Sequence, residues 1–283
     1  IWRVETRADG SEWLHYNGGV RPVGAMSLAG TAGMTAADRA RALAGKLRYA
    51  DVRPGAFRPA PRLPDMDVEG IQQSVLYPTI LLGLPGLEDA EFAEAQANAY
   101  NEWIADFCSH APTRLFAVAC VPTQDVDRAL RTIRRAKELG HVAVFMRPNP
   151  AIGDRKLNDP IYDPIWRTCA DLELPIGLHP FLSPDMPGAC RGLGFNTMRT
   201  PGVEYGDATN PATPIRNPGN IYFTQALANP FDMMESLALF TAGGVCERFP
   251  TLRVLFLEAN GGWIVSLLER LDHHYEVFSW DVP

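Results

Sequence analysis

The feature that most constrains this chain is a repeat of texture rather than of letters. Five short apolar runs recur, "GIQQSVLYPT", "RLFAVACVPT", "HVAVFMRPNP", "LPIGLHPF" and "TLRVLFLEANGG". Each has proline or glycine at its exit, and four of them place a polar residue just before it. The runs are too short for helices and rich in strand formers, so they read as buried strands. Amphipathic segments alternate with them. Residues 88–109 carry Phe92, Tyr100, Trp103, Ile104 and Phe107 at helical spacing, and 125–139 open on the acid pair Asp125 and Asp127. Further helices are read in "DPIYDPIWRTCADLEL", in "PFDMMESLALF" and from Trp263 to about Phe278. Strands that alternate with helices of this length form parallel βα units. A sixth, weaker strand is read at "NIYFTQAL".

Two architectures answer to that rhythm, a doubly wound open sheet and a (β/α)8 TIM-like barrel. A doubly wound nucleotide binder carries a glycine-rich turn after its first strand, and none is seen here. A barrel gathers its functional groups at the C-terminal ends of its strands. The strand exits of this chain carry Tyr77, Arg147, His179 and Glu258. The barrel is therefore the better reading, with the glycine pair Gly261-Gly262 expected to turn the backbone from Glu258 into the last helix. Residues 1–64, rich in Gly, Pro, Arg and Ala, read as loop except for a helix near Ala36–Leu47, and residues 65–283 as one barrel domain. The Gly/Pro-rich stretch 182–229, with Phe181 before it, is expected to be a lid.

Each exit residue has a bland and a functional reading. His179 at a strand end can be a core hydrogen-bond partner, but at a barrel mouth a neutral imidazole suits a metal ligand. Glu258 can pair with an arginine or act as a general acid/base. Arg147 can pair with a neighbouring acid or clamp a substrate carboxylate through its planar fork. His273-His274 are adjacent on a helix and diverge, so they make a poor metal pair. A formal net charge of -7 without any basic block argues against nucleic acid and anionic membrane as partners. Five cysteines without a CxxC pair suggest buried thiols in a reducing, cytoplasmic setting.

From about Arg58 to Tyr275 the sequence resembles the amidohydrolase-related family, on the branch of aminocarboxymuconate-semialdehyde decarboxylase and other non-oxidative decarboxylases. The resemblance lies in "RLPDMDVEGIQQSVLYPT", "AYNEWIADFCSHAPTRLFAVACVPTQDVDRAL", "LPIGLHP" and "GGVCERFPTLRVLFLEANGGWIVSLLERLD". It implies a (β/α)8 barrel holding one divalent metal, commonly zinc. Of the family's ligands, a His-x-His pair, a later His and a last Asp, only the later His has a counterpart, His179. Glu258 stands where the family has its catalytic His, and Arg270 matches an arginine that follows that motif. The chain contains no His-x-His and begins Ile1-Trp2 rather than with methionine. The barrel's first and last strands are accordingly expected to be missing from it.

The resulting expectation is a metal-dependent hydrolase or carbon–carbon lyase of a small, carboxylated substrate. His179 would bind the metal and Glu258 act as general acid/base in a dry pocket. Tyr77, Arg147, Phe181, Asn260 and Arg270 would contact the substrate. The apolar final helix suggests a homo-oligomer. The competing reading is a degenerate barrel that binds a ligand or an assembly partner without catalysis.

Overall fold

The computed structural model describes residues 3–16, 19–22, 35–43, 48–148, 152–153, 155–180 and 224–282. They fall into two compact units, one within Ile1–Gln72 and the other from Gln73 onward. Phe181 and almost all of the expected lid lie outside the described residues.

The first unit corrects the loop reading of the N-terminal stretch. Strands β1 (Arg3–Thr6), β2 (Glu12–Tyr16) and β3 (Gly19–Pro22) form an antiparallel sheet in that order. The β1–β2 connection turns at Asp9-Gly10. Gly10 takes a φ of 78°, and the Asp9 carboxylate accepts bonds from the Ser11 N–H (3.0 Å) and hydroxyl (2.6 Å). The Arg7 guanidinium lies 3.7 Å over the Trp13 ring. Among the described residues the unit also holds the helices α1 (Ala36–Leu43) and α2 (Pro59–Val68).

The second unit is a parallel sheet of five strands in sequence order, β4 (Ser74–Leu76), β5 (Leu115–Cys120), β6 (Ala143–Met146), β7 (Ile176–Leu178) and β8 (Val254–Phe256). All five strands read from the sequence are present. The weaker sixth is not a strand where it is described, because Thr224–Ala228 is a helical turn leading into α6. The helices are α3 (Ala90–Ser109), α4 (Val126–Glu138), α5 (Asp163–Asp171), α6 (Asn229–Phe240), α7 (Val245–Arg248) and α8 (Gly262–Phe278). Carboxylates set the starts of the first two. Asp89 accepts from the N–H groups of Glu91 and Phe92, and Asp125 from that of Arg128. Among the described residues, no helix is long and apolar enough to cross a membrane.

Strand alternation divides the sheet into two faces. Val144, Met146, Ile176, Leu178, Val254 and Phe256 pack outward with Ile133, Ile165 and the fully buried Trp166 in the main core. The residues between them, Phe145, Gly177 and Leu255, align across β6, β7 and β8 on the opposite, inner face. That face is only partly covered. Val75 is 51% exposed and Leu255 43%, so β8 is not the fully buried strand expected. The helix α8 is equally open, with Val265, Tyr275, Val277 and Phe278 exposed.

β4 has three residues against the six of β5, and its end has a chemical cause. Pro78 has no N–H to extend the ladder. Further along β5, Asn101 of α3 substitutes for the missing strand. Its buried side-chain amide donates to the Cys120 carbonyl (3.0 Å) and accepts from the Cys120 N–H (2.8 Å).

His141, just before β6, is buried, and its Nδ1 lies 3.1 Å from the Ala136 carbonyl. Burial holds its pKa below the ordinary value despite that bond. The unfolded chain therefore binds the proton more readily. This contribution to stability is fully present above about pH 6.5 and is lost as pH falls below it. Urea midpoints measured from pH 8 to pH 5 should fall, and they should fall less steeply for His141→Gln.

Candidate functional site

The exits of four of the five parallel strands carry the polar residues read from the sequence. Tyr77 follows β4, Arg147 follows β6, His179 lies just past β7, and Glu258 lies just past β8. The His179 N–H donates to the Met146 carbonyl (3.0 Å) and the Leu257 N–H to the Leu178 carbonyl (3.0 Å), so the parallel pattern runs on past the strand ends. Extending the register Phe145–Gly177 by two residues pairs Arg147 with His179 on the inner face.

His179 and Glu258 meet. The His179 Nδ1 lies 2.7 Å from the Pro180 carbonyl and 3.4 Å from Glu258 Oε2. A carbonyl oxygen can only accept, so Nδ1 carries a proton, and in the neutral ring Nε2 is the nitrogen with the lone pair. The ring is 19% exposed and the carboxylate 41%, so this is an open pair rather than a dry one. Among the described residues, two aromatic rings stand beside the imidazole. Tyr77 is 6.2 Å away at a tilt of 35°, and Phe145 is 6.3 Å away edge-on at 77°. Burial pushes the Tyr77 phenol up from its ordinary value, which keeps it neutral.

Glu258 gets there by an unusual backbone. Its φ is 57°, and that of Asn260 is 53°. Asparagine tolerates the left-handed region; glutamate does so at a cost of about 1 kcal/mol. The tight turn is thus made by Glu258 and Asn260. The pair Gly261-Gly262, expected to make it, is not in the left-handed region. The loop is tied down by Trp263, whose indole N–H donates to the carbonyl of the buried Ala259 at 2.7 Å.

The other residues read from the sequence sort unevenly. Arg147 is buried, at 4% exposure. Asn260 is exposed beside Glu258. Arg270 is exposed more than two turns into α8 and is not brought to the pair. Phe145 and Gly177 were not singled out from the sequence. The signal was present, since each precedes an inner-face exit residue by two positions.

As a ligand set, the arrangement fits a divalent metal in part. A metal-bound histidine characteristically donates its other N–H to a carbonyl or carboxylate, as the His179 Nδ1 does here. Among the described residues no cluster of three or more His, Cys, Asp or Glu could close around an ion. A cleft of about 700 Å³ elsewhere is lined by Arg155, Lys156 and Arg248. Its cations are already matched by Asp159 (3.0 Å), Glu235 and Asp163 (3.0 Å) respectively.

Gamma-resorcylate decarboxylase of Rhizobium radiobacter is 31% identical over 127 residues, covering 42% of this chain and 38% of the relative. 2-Amino-3-carboxymuconate-6-semialdehyde decarboxylase of Dictyostelium discoideum is 22% identical over 180 residues, covering 63% and 41%. The chain thus spans about two fifths of the length of these curated relatives. Among solved structures, an amidohydrolase from Mycobacterium avium subsp. paratuberculosis superposes with a TM-score of 0.67 at 21% identity, over 100% of this chain and 72% of that one. The 5-carboxyvanillate decarboxylase of Novosphingobium aromaticivorans, complexed with manganese and 4-hydroxy-3-methoxy-5-nitrobenzoic acid, superposes with a TM-score of 0.57 at 26% identity, over 90% and 62%. The five βα units are accordingly part of a (β/α)8 TIM-like barrel, seen here as a half-barrel. The family model described as Amidohydrolase matches residues 12–282, and the chain belongs to that family.

Proposed function

We propose that this protein works as a metal-dependent carbon–carbon lyase that removes the carboxylate from a small aromatic acid. The observation that carries the reading is the His179–Glu258 pair, with one imidazole nitrogen tied to Pro180 and the other left for a metal. The decarboxylases among the relatives and the manganese in one structural neighbour support it, and they favour a divalent metal without favouring zinc.

His179 would be one ligand, through Nε2. When bound, a divalent cation supplies Lewis acidity to a substrate oxygen. Arg147 offers a planar fork to the substrate carboxylate from the neighbouring strand exit. Tyr77 and Phe145 give the aromatic ring an apolar, edge-and-face surface. Glu258 is the group placed to deliver a proton to the substrate, drawing it from water at its exposed edge. The proton goes to the ring carbon bearing the carboxylate, the bond to the carboxylate breaks, and its electron pair returns to the ring. Carbon dioxide leaves, and Glu258, now a carboxylate, regains a proton from water at its exposed edge.

The test is metal content and carboxylate release together. After dialysis against metal-free buffer, the protein should retain a divalent ion, and His179→Ala should lose at least about tenfold in metal affinity. A panel of hydroxylated benzoic acids should release carbon dioxide. Unchanged metal content in the variant would remove His179 from the ligand set. A panel that releases no carbon dioxide would reject the lyase reading.

A further inference from the structure

The inner face of the sheet holds a contact that the chemistry above does not use. Tyr77 leaves β4 and crosses the inner face to rest on Gly177 of β7, past the two intervening strands. A Cβ built on Gly177 would collide with the Tyr77 hydroxyl and would stand 2.8 Å from Cε1 and 3.0 Å from Cζ. The Tyr77 ring can therefore lie where it does only because residue 177 has no side chain. Gly177 does not have a left-handed φ, so the backbone gives no separate reason for a glycine there.

The position of this contact matters. Gly177 is two residues before His179 on the same face of β7, and so directly below it in the barrel. Phe145 fills the adjacent position on β6, fully buried. Tyr77 and Phe145 thus close off the inner face beneath the imidazole, with ring centroids 6.2 and 6.3 Å from it.

We propose that Tyr77, seated on Gly177, is the floor of the substrate site and limits the planar acid admitted beside His179 to a single ring. Tyr77 is a specificity-determining residue in this account, and Gly177 is the residue that positions it. The proposal rests on the aromatic-acid reading of the site. Its physical content is a limit on depth: an acid held by its carboxylate at the strand exits points its ring down toward Gly177, and a second fused ring reaching further down would meet the Tyr77 ring that fills the space over Gly177.

The experiment measures binding of two probes, 2-hydroxybenzoate and 1-hydroxy-2-naphthoate, by titration calorimetry on the intact protein. The unaltered protein should prefer the single-ring probe. Tyr77→Ala should shift the ratio of the two affinities toward the naphthoate by about tenfold or more, the range expected when a pocket wall is removed. Gly177→Ala should lift the ring and weaken binding of both probes. Once Tyr77→Ala is in place, adding Gly177→Ala should have little further effect, because the atoms it would strike are gone. That pairing keeps the test valid even where Gly177→Ala alone folds poorly. An unchanged ratio in Tyr77→Ala, or equal effects of Gly177→Ala with and without Tyr77, overturns the floor while leaving the aromatic-acid reading intact. Failure of the unaltered protein to bind either probe overturns that reading and the floor with it.

Discussion

Glu258→Gln is expected to lower turnover by about 10²–10⁴ while leaving the unfolding midpoint nearly unchanged. The substitution keeps the size and the hydrogen-bonding edge of the side chain but removes the group that titrates. In barrier terms the loss is roughly 3–5 kcal/mol. That exceeds the backbone cost of about 1 kcal/mol at a left-handed glutamate, a cost that glutamine bears equally. The two effects therefore separate. If Glu258 carries the proton, rate falls and stability holds. If it only steadies His179 across 3.4 Å, rate survives, and removing the carboxylate costs stability instead. An open carboxylate at 41% exposure gains little from such a contact. The prediction accordingly favours a change in rate. Steady-state kinetics and a urea titration on the same preparation distinguish the outcomes.

What the sequence made legible here is the frame, and the reason is physical. A buried parallel strand must be apolar along its length, and its exit is the first place where a polar side chain is tolerated. Tyr77, Arg147, His179 and Glu258 therefore announced themselves at four strand ends, and all four are found there. The local geometry was less legible. The glycines at 261 and 262 drew the eye as the turn, yet the positive φ angles fall on Glu258 and Asn260. Composition says which residues can adopt such a backbone, and packing decides which ones do. Trp263, anchored to Ala259, is part of that packing. The N-terminal sheet was legible and was missed. Asp9-Gly10 between two short runs is a hairpin signal, hidden by the arginines and glycines around it. "NIYFTQAL" failed for the opposite cause. An apolar run of that length fits either period, and its described end is helical, leading directly into α6.

The contact hardest to foresee from sequence leads to the other large effect. Asn101→Ala should destabilise the protein by roughly 2–6 kcal/mol, the sum of about 1–3 kcal/mol for each of two buried backbone groups left unpaired. An asparagine in the middle of a twenty-residue helix looks like a solvated or mildly unfavourable residue. In the structure it is buried at 2% exposure and does the work of a strand, satisfying the N–H and the carbonyl of Cys120 together. No nearby backbone can take over. β4 ends at Leu76, and Pro78 lacks the N–H that would replace the side-chain donor. Asn101→Asp is the informative control. It could still accept from the Cys120 N–H, but a carboxylate cannot donate to the Cys120 carbonyl, and it buries a charge. It should be no more stable than Asn101→Ala. The consequence reaches the site, because Asn101 closes the edge of β5 on the side of β4, the strand that Tyr77 follows. Amide exchange at Cys120 should therefore quicken in Asn101→Ala. A destabilisation below about 1 kcal/mol, with Cys120 still protected, would mean that water or the Tyr77 segment has filled the gap. Asn101 would then be a packing residue and not a substitute strand.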